Sequence, residues 1–330
     1  ARTSPKQPFF LYHATQAVHL PSCAAPEFQG KSKAGPHGDF IAEFDHIVGE
    51  LMRELETHNL ADNTLVILSS DNGPEVASIV HMRADHAHDG AKSWRGIKRD
   101  AWEGGHRAPF IVRWPAKGKP GTTSDQTLCL TDILATVAAI TGTELPHDAA
   151  EDSFNLLPAL EGTATAPIRP YLLTQSFAGQ RPLSIRRGQW KYIAHRGSGG
   201  NNYDKGELKP YALPDTDPEA PAQLYDLTND PCEPTNLYSK KPEIVKELHA
   251  LLEQSKTTGR IGPRRRLSNV VQPARQPPPA PNRLKSAING LNWTAKWTNE
   301  PLFAPPTGIG YNRPKSAKIG QNRQKSAKIG

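Results

Sequence analysis

Three stretches of the chain hold residues whose types and spacing could do chemistry. The first is Ser69-Ser70-Asp71-Asn72-Gly73-Pro74, where a carboxylate and an amide carbonyl stand side by side after a short apolar run. Both are hard oxygen ligands, suited to calcium or magnesium rather than zinc. An Asp-Asn-Gly sequence is also an ordinary tight turn, and spacing alone leaves both readings open. The second stretch runs from Arg95 to Pro109, with Lys98, Arg99, His106 and Arg107 set among Gly96, Gly104 and Gly105. Such a loop can aim Lys98 and backbone amides at an anion, or it can be a solvated basic surface. The third is His19, ahead of Leu20-Pro21, which could donate to a charged oxygen or carry a proton. A lone histidine is more often a loop residue with a local partner.

These residues need a scaffold, and the hydrophobic pattern supplies one. Residues 8–12 (Pro-Phe-Phe-Leu-Tyr) read as a buried strand leading towards His19. Between residues 39 and 57, Phe40, Phe44, Ile47, Val48, Leu51 and Leu55 recur at the spacing of an amphipathic helix, with Asp39 placed to cap it. Residues 64–68 (Thr-Leu-Val-Ile-Leu) read as a fully buried strand, stopped by the turn that carries Asp71. Strand, helix and strand in succession predict a parallel crossover in an α/β sheet, with Asp71 at the carboxyl end of a strand, where open α/β sheets hold ligands. Residues 75–93 lack a clear period and read as a long loop. Residues 110–114 add a strand, and 131–141 a helix with Ile133, Leu134, Val137 and Ile140 on one side. After about Ser153 the texture changes. Residues 183–186 and 190–193 flank Arg187-Gly188-Gln189 as a hairpin, 223–227 read as a further strand and 242–254 as a closing helix, together predicting a small antiparallel α+β subdomain.

Composition sets the outer bounds. With 330 residues and 36% apolar content, the chain can bury a sizeable core. Its apolar runs fall far short of the roughly 20 residues that span a bilayer. Cys23, Cys129 and Cys232 share no metal-binding spacing, and an odd number cannot pair completely within the chain. Charge divides sharply: 26 Lys/Arg face 32 Asp/Glu before Arg260, and 14 face one from Arg260 onward. That tail is rich in Pro, Arg, Lys and Asn, a composition that predicts disorder. It also repeats a ten-residue unit, at Asn282–Gly290, Asn312–Gly320 and Asn322–Gly330, too short for a packed solenoid. The chain opens Ala-Arg-Thr-Ser-Pro-Lys, which reads as a start partway through a protein, or after a removed signal peptide.

Taken in order, the motifs resemble those of a known family. Phe9-Phe10-Leu11-Tyr12, Ala17-Val18-His19-Leu20-Pro21, Asp71-Asn72-Gly73-Pro74, Arg95-Gly96-x-Lys98, Trp102-Glu103-Gly104-Gly105-x-Arg107-x-Pro109 and Trp114-Pro115 resemble the second half of the type I, formylglycine-dependent sulfatases. The resemblance continues through residues 183–193 and Leu224-Tyr225-Asp226-Leu227, Asp230-Pro231, Glu233 and Asn236-Leu237, covering about residues 6–255. It implies an α/β fold, part of an alkaline-phosphatase-like sulfatase sheet with flanking helices, over residues 1–152. The antiparallel α+β subdomain would follow at 153–259 and the basic tail at 260–330. It further implies that Asp71 and Asn72 ligate a divalent cation, Ca2+ or in its place Mg2+. His19 and Lys98 match residues that contact the sulfate, neutralise it and, for one of the two, assist departure of the alcohol, and His88 falls where some bacterial members have a pocket histidine. The implied substrate is a sulfate ester such as a sulfated carbohydrate, and the family suggests an exported protein.

One departure bears on activity. The family nucleophile is a Cys or Ser in a Cys/Ser-x-Pro-x-Arg signature, converted to formylglycine, and it lies upstream of everything matched here together with an aspartate pair that ligates the metal. No such signature occurs in these 330 residues; Cys23 stands in Cys-Ala-Ala-Pro. The expectation is therefore a partial enzyme without turnover of its own. Phosphatases and phosphonate hydrolases of the same superfamily are the enzymatic alternative, disfavoured because they commonly carry Asp-His where this chain has Asp71-Asn72. A non-catalytic polyanion-binding protein is the other, suggested by the basic tail but unsupported by any nucleic-acid motif.

Overall fold

In the computed structural model, which describes residues 7–177 and 181–262, the amphipathic pattern folds as helix α1 (Gly35–Thr57). The helix begins at Gly35-Pro36, so Asp39 is not its cap. The Asp39 carboxylate instead accepts the Gly30 and Ser32 amides at 2.8 and 2.7 Å and pins the preceding loop. These bonds, that from Ser32 foremost, hold its carboxyl below the usual range. Phe40 anchors the helix against Ala17 and Ala24, while Phe44, Ile47, Val48, Leu51 and Leu55 further along stay half-buried.

Strand β1 (Val66–Ser69) follows and pairs antiparallel with β2 (Phe110–Arg113), in the register Val66↔Arg113 to Ser69↔Phe110. This corrects the expected parallel crossover: among the described residues the sheet has two strands, both half-buried or partly exposed. Residues 9–12 form no strand. Phe10 and Tyr12 are 74% and 82% exposed. A strand exists only where a neighbour takes its N–H and C=O groups, and with none alongside, an apolar run stays irregular and meets those needs with water.

Between the two strands lies a second correction. Residues 75–93, read as a loop, contain helix α2 (Val76–His86). Glu75 caps it by accepting the Val76 amide at 2.8 Å, and Ile79 and Met82 are buried beneath it. The one-turn helix α3 (Glu103–His106), then α4 (Asp132–Thr141) and the short α5 (Leu157–Leu160), complete this part.

A second sheet, ordered β3 (Leu172–Gln175), β4 (Leu183–Arg187), β5 (Trp190–Ile193) and β6 (Gln223–Asp226), is antiparallel throughout. The expected hairpin is there, with Gly188 at φ +58° between Arg187 and its partner Trp190. Helix α6 (Pro242–Thr258) sets Val245, Leu248 and Leu252 on Ile185, Tyr192 and Leu224. Period-2 alternation turns Ile193 and Tyr225 to the other face, where they meet Ala101 and Trp102 of the 95–107 loop. Chain contacts unite the described residues as one compact unit. The tail read from sequence as disordered lies outside the described residues.

Candidate functional site

The turn after β1 and the glycine-rich 95–107 loop interlock through their backbones. Gly73 donates to the Gly105 carbonyl at 3.0 Å, and Lys98 donates through its amide to the Pro74 carbonyl at 2.9 Å. Glycine is required here, because a Cβ on Gly73 would overlap the Gly104 carbonyl oxygen and one on Gly104 the Gly96 carbonyl oxygen. Asp71, Asn72 and Lys98 therefore stand on adjoining loops although they are distant in sequence.

Within this cluster the side chains differ in what engages them. Asp71 is exposed and makes no hydrogen bond or ion pair among the described residues. The Asn72 amide donates to the Gly73 carbonyl at 2.9 Å, which leaves its Oδ1 unengaged. Lys98 Nζ lies 3.7 Å from Glu75 Oε2. The other two sequence-predicted residues are not joined to these loops by any hydrogen bond or ion pair among the described residues. His19 is exposed, with Nδ1 2.8 Å from the Leu20 carbonyl, and His88 is exposed just past α2, its amide donating to the Met82 carbonyl at 3.0 Å.

The loop carrying Lys98 is held from below by the second sheet and its connections. Buried Asp100 is the clasp. Its Oδ2 accepts the Ile97 amide at 2.9 Å and the Tyr203 hydroxyl at 2.6 Å, and its Oδ1 accepts the amide and the side chain of Asn201, each at 2.8 Å. Asn201 also donates to the Lys98 carbonyl at 2.9 Å. Burial, reinforced by Asp100, pushes the Tyr203 phenol up, so it remains a donor. At the far end of the loop, Lys191 stands with its ammonium 2.9 Å from Glu103 and 2.8 Å from Glu233, while Glu233 accepts the Glu103 amide at 2.6 Å. Burial alone would raise the Glu103 carboxyl, but Lys191 and His106 outweigh it and hold it low. In Glu233 burial wins and the carboxyl is pushed up. Arg95 lies over the Trp102 ring at 3.9 Å and donates to the Tyr225 hydroxyl and the Glu233 carbonyl.

Arg95, Trp102, Glu103, Tyr225 and Glu233 stand in the motifs that carry the family resemblance, but none of these supporting residues was given a role from the sequence. Lys191 carried a signal: a lysine inside the apolar run Trp190-Lys191-Tyr192-Ile193 must be buried with a counter-charge or mark the edge of a sheet. Glu103 and Glu233 could not be paired with it, because 88 and 42 positions of chain intervene. Among the described residues no group of three or more His, Cys, Asp or Glu is arranged to hold a metal. The unengaged oxygens of Asp71 and Asn72 suit a hard cation as two members of a larger ligand set.

Comparison with known proteins adds the family. A family model described as Sulfatase matches residues 1–143. The chain is 41% identical over 256 residues to an N-acetylgalactosamine-6-O-sulfatase of Bacteroides thetaiotaomicron, covering 76% of this chain and 48% of that protein. It is 34% identical over 253 residues to human arylsulfatase A, covering 74% and 48%. A solved Bacteroides thetaiotaomicron structure, described under the metabolism of multiple glycosaminoglycans, superposes with a TM-score of 0.67 at 38% identity, over 78% of this chain and 52% of that one. The chain spans about half the length of the curated relatives it matches.

Proposed function

The chain belongs to the type I sulfatase family, whose alkaline-phosphatase-like fold its mixed helices and sheets share, and on that premise we propose that it carries the Asp71, Asn72 and Lys98 share of a sulfate-ester hydrolysis site. The observation that carries this reading is the backbone interlock of the 71–74 turn with the 95–105 loop, which sets two unengaged hard oxygens near a lysine. Asp71 and Asn72 are metal ligands in this reading, for calcium or in its place magnesium. A cation held there would withdraw charge from the sulfate oxygens. Lys98 neutralises the sulfate, and His19 contacts it and assists departure of the alcohol, with His88 a further pocket residue. The substrate class is a sulfate ester of a carbohydrate, a reading supported by relatives named for N-acetylgalactosamine 6-O-sulfate and glycosaminoglycans. The division of labour follows the sequence reading, with residues 1–152 catalytic, 153–259 supporting and 260–330 a basic appendage.

Covalent catalysis needs an attacking group, and these 330 residues hold no Cys/Ser-x-Pro-x-Arg signature to become formylglycine. The isolated polypeptide is therefore expected to bind calcium weakly without turning over an activated aryl sulfate. Calorimetric titration with calcium, alongside Asp71→Ala and Asn72→Ala variants, tests the metal assignment. Affinity that is unchanged in both variants would remove it, and turnover abolished by Lys98→Ala would require a nucleophile elsewhere in the chain.

A further inference from the structure

Glu75 divides its two carboxylate oxygens between different tasks. Oε1 accepts three hydrogen bonds, from the Val76 amide at 2.8 Å and from Nη1 and Nη2 of Arg99 at 2.7 and 2.6 Å. Among the described residues Oε2 faces only Lys98 Nζ, at 3.7 Å. The carboxylate is thus anchored on one side by a helix cap and a guanidinium, and on the other meets a lysine at a distance too long for a hydrogen bond. Glu75 and Lys98 are each about four-fifths buried, so the pair is partly shielded from water.

The backbone supports the same arrangement. Arg99 lies at φ +86°, a conformation that is strained for a residue with a Cβ and persists only where neighbours over-determine it. Here they do: the Arg99 carbonyl accepts the Phe177 amide at 3.2 Å, the backbone of Gly200 packs against that carbonyl, and the guanidinium is fixed by Glu75. The residues on either side of Arg99 have separate partners, Asp100 in the buried clasp and Lys98 at Glu75.

We propose that Glu75 is a positioning residue for Lys98: its Oε2 stands in for a sulfate oxygen, holding the ammonium over the 71–74 turn until an anion displaces it. The proposal rests on Lys98 being the sulfate contact. The anchoring of Oε1 keeps the carboxylate in place when Lys98 leaves, so the exchange moves one lysine side chain and nothing else. A carboxylate in that position also competes with the incoming anion. Its removal should therefore tighten sulfate binding, whereas damage to the loop would weaken it.

The test is titration of inorganic sulfate into the full chain, followed by the amide chemical shifts of residues 96–101. Glu75→Gln keeps an oxygen for the Val76 amide and Arg99 but carries no charge, and is expected to tighten the apparent Kd about threefold to fivefold, the scale of a partly exposed ion pair. Glu75→Asp keeps the charge on a shorter stem and should tighten it less. Lys98→Ala should abolish the saturable shift. Sulfate binding in Lys98→Ala equal to the parent, or no saturable shift in the parent, removes the site reading itself. Loss of binding in Lys98→Ala together with unchanged or weaker binding in a folded Glu75→Gln variant leaves that reading standing and overturns the role of Glu75.

Discussion

Strand β6 and strand β1 reverse the usual relation between composition and burial. Gln223-Leu224-Tyr225-Asp226 is half polar yet buried throughout, whereas Val66-Ile67-Leu68-Ser69 is almost wholly apolar and only half-buried. The difference lies in what covers each sheet. Around β6, α6 packs on one face and the 95–107 loop on the other, and the Gln223 side chain between them is fully hydrogen-bonded. The Gln223 side chain receives the Trp102 indole and the Tyr225 hydroxyl on its oxygen, and gives its amide to the His195 and Gly197 carbonyls. On β2 and on α4, by contrast, the apolar groups of Ile111 and Leu134 remain more than half exposed. Apolar residues create a demand for burial, and only neighbouring layers meet it. The proposed site residues divide between the two: Asp71 and Asn72 follow the poorly covered strand, and the loop carrying Lys98 packs on the well-covered sheet.

If the second sheet is what holds the Lys98 loop, the largest effect should come from its buried charges. Lys191 is 1% exposed between Glu103 and Glu233, so Lys191→Ala leaves Glu233 buried without its counter-charge, while Glu103 keeps Arg107 and His106. Urea unfolding should show a loss of about 3–5 kcal/mol. A loss below about 1 kcal/mol would mean that water reaches Glu233 and that the packing there is looser than its geometry. Replacing all three residues by uncharged ones of similar volume, as Lys191→Met with Glu103→Gln and Glu233→Gln, should recover most of the loss, since the cost arises from unpaired charge.

The next effect compares the two regions directly through one kind of side chain. Leu248, fully buried under the second sheet, should cost about 2–5 kcal/mol as Leu248→Ala. Leu134 on α4 is 51% exposed, and Leu134→Ala should stay within about 0.5 kcal/mol. Equal losses in thermal or urea unfolding would show that the face carrying Leu134 is covered in solution.

The same contrast explains how much could be read from sequence. The 183–193 hairpin was legible because alternation and Gly188 are local signals, and α1 because its period runs for several turns. Strand β3 was missed, since Leu172–Gln175 lacks a flanking turn as clear as that of its partner. Helix α2 was missed although Val76, Ile79 and Met82 keep helical spacing, because the His and Asp residues between them blurred the period. Residues 9–12 failed in the opposite way: their apolar character was legible, but pairing is a property of the neighbour and not of the run. Of the proposed site, Asp71, Asn72 and Lys98 could be picked out as candidates because each stands in a distinctive turn or loop. Glu75 could not, since its role depends on Lys98 and Arg99, which only the fold brings to it.

The smallest expected effect concerns pH and the loop ahead of α1. The Asp39 carboxyl is held below its ordinary value of 3.8, first by the Ser32 amide and then by that of Gly30, with a further contribution from His86 at the end of α2. A carboxyl whose folded value is depressed binds fewer protons in the folded chain than in the unfolded one between the two values. Its contribution to stability is therefore complete above pH 3.8 and is lost as pH falls from there through the lower folded value. Hydrogen exchange at the Gly30 and Ser32 amides should accordingly quicken relative to the β5 and β6 amides on acidification below pH 3.8, once the intrinsic pH dependence is removed. Asp39→Asn should abolish that dependence while leaving exchange in β5 and β6 unchanged, because the carboxylate bonds only the loop ahead of α1. If acid loosens the β5 and β6 amides in parallel with the loop, the two regions open as one cooperative unit, and the boundary drawn between them by burial has no counterpart in stability.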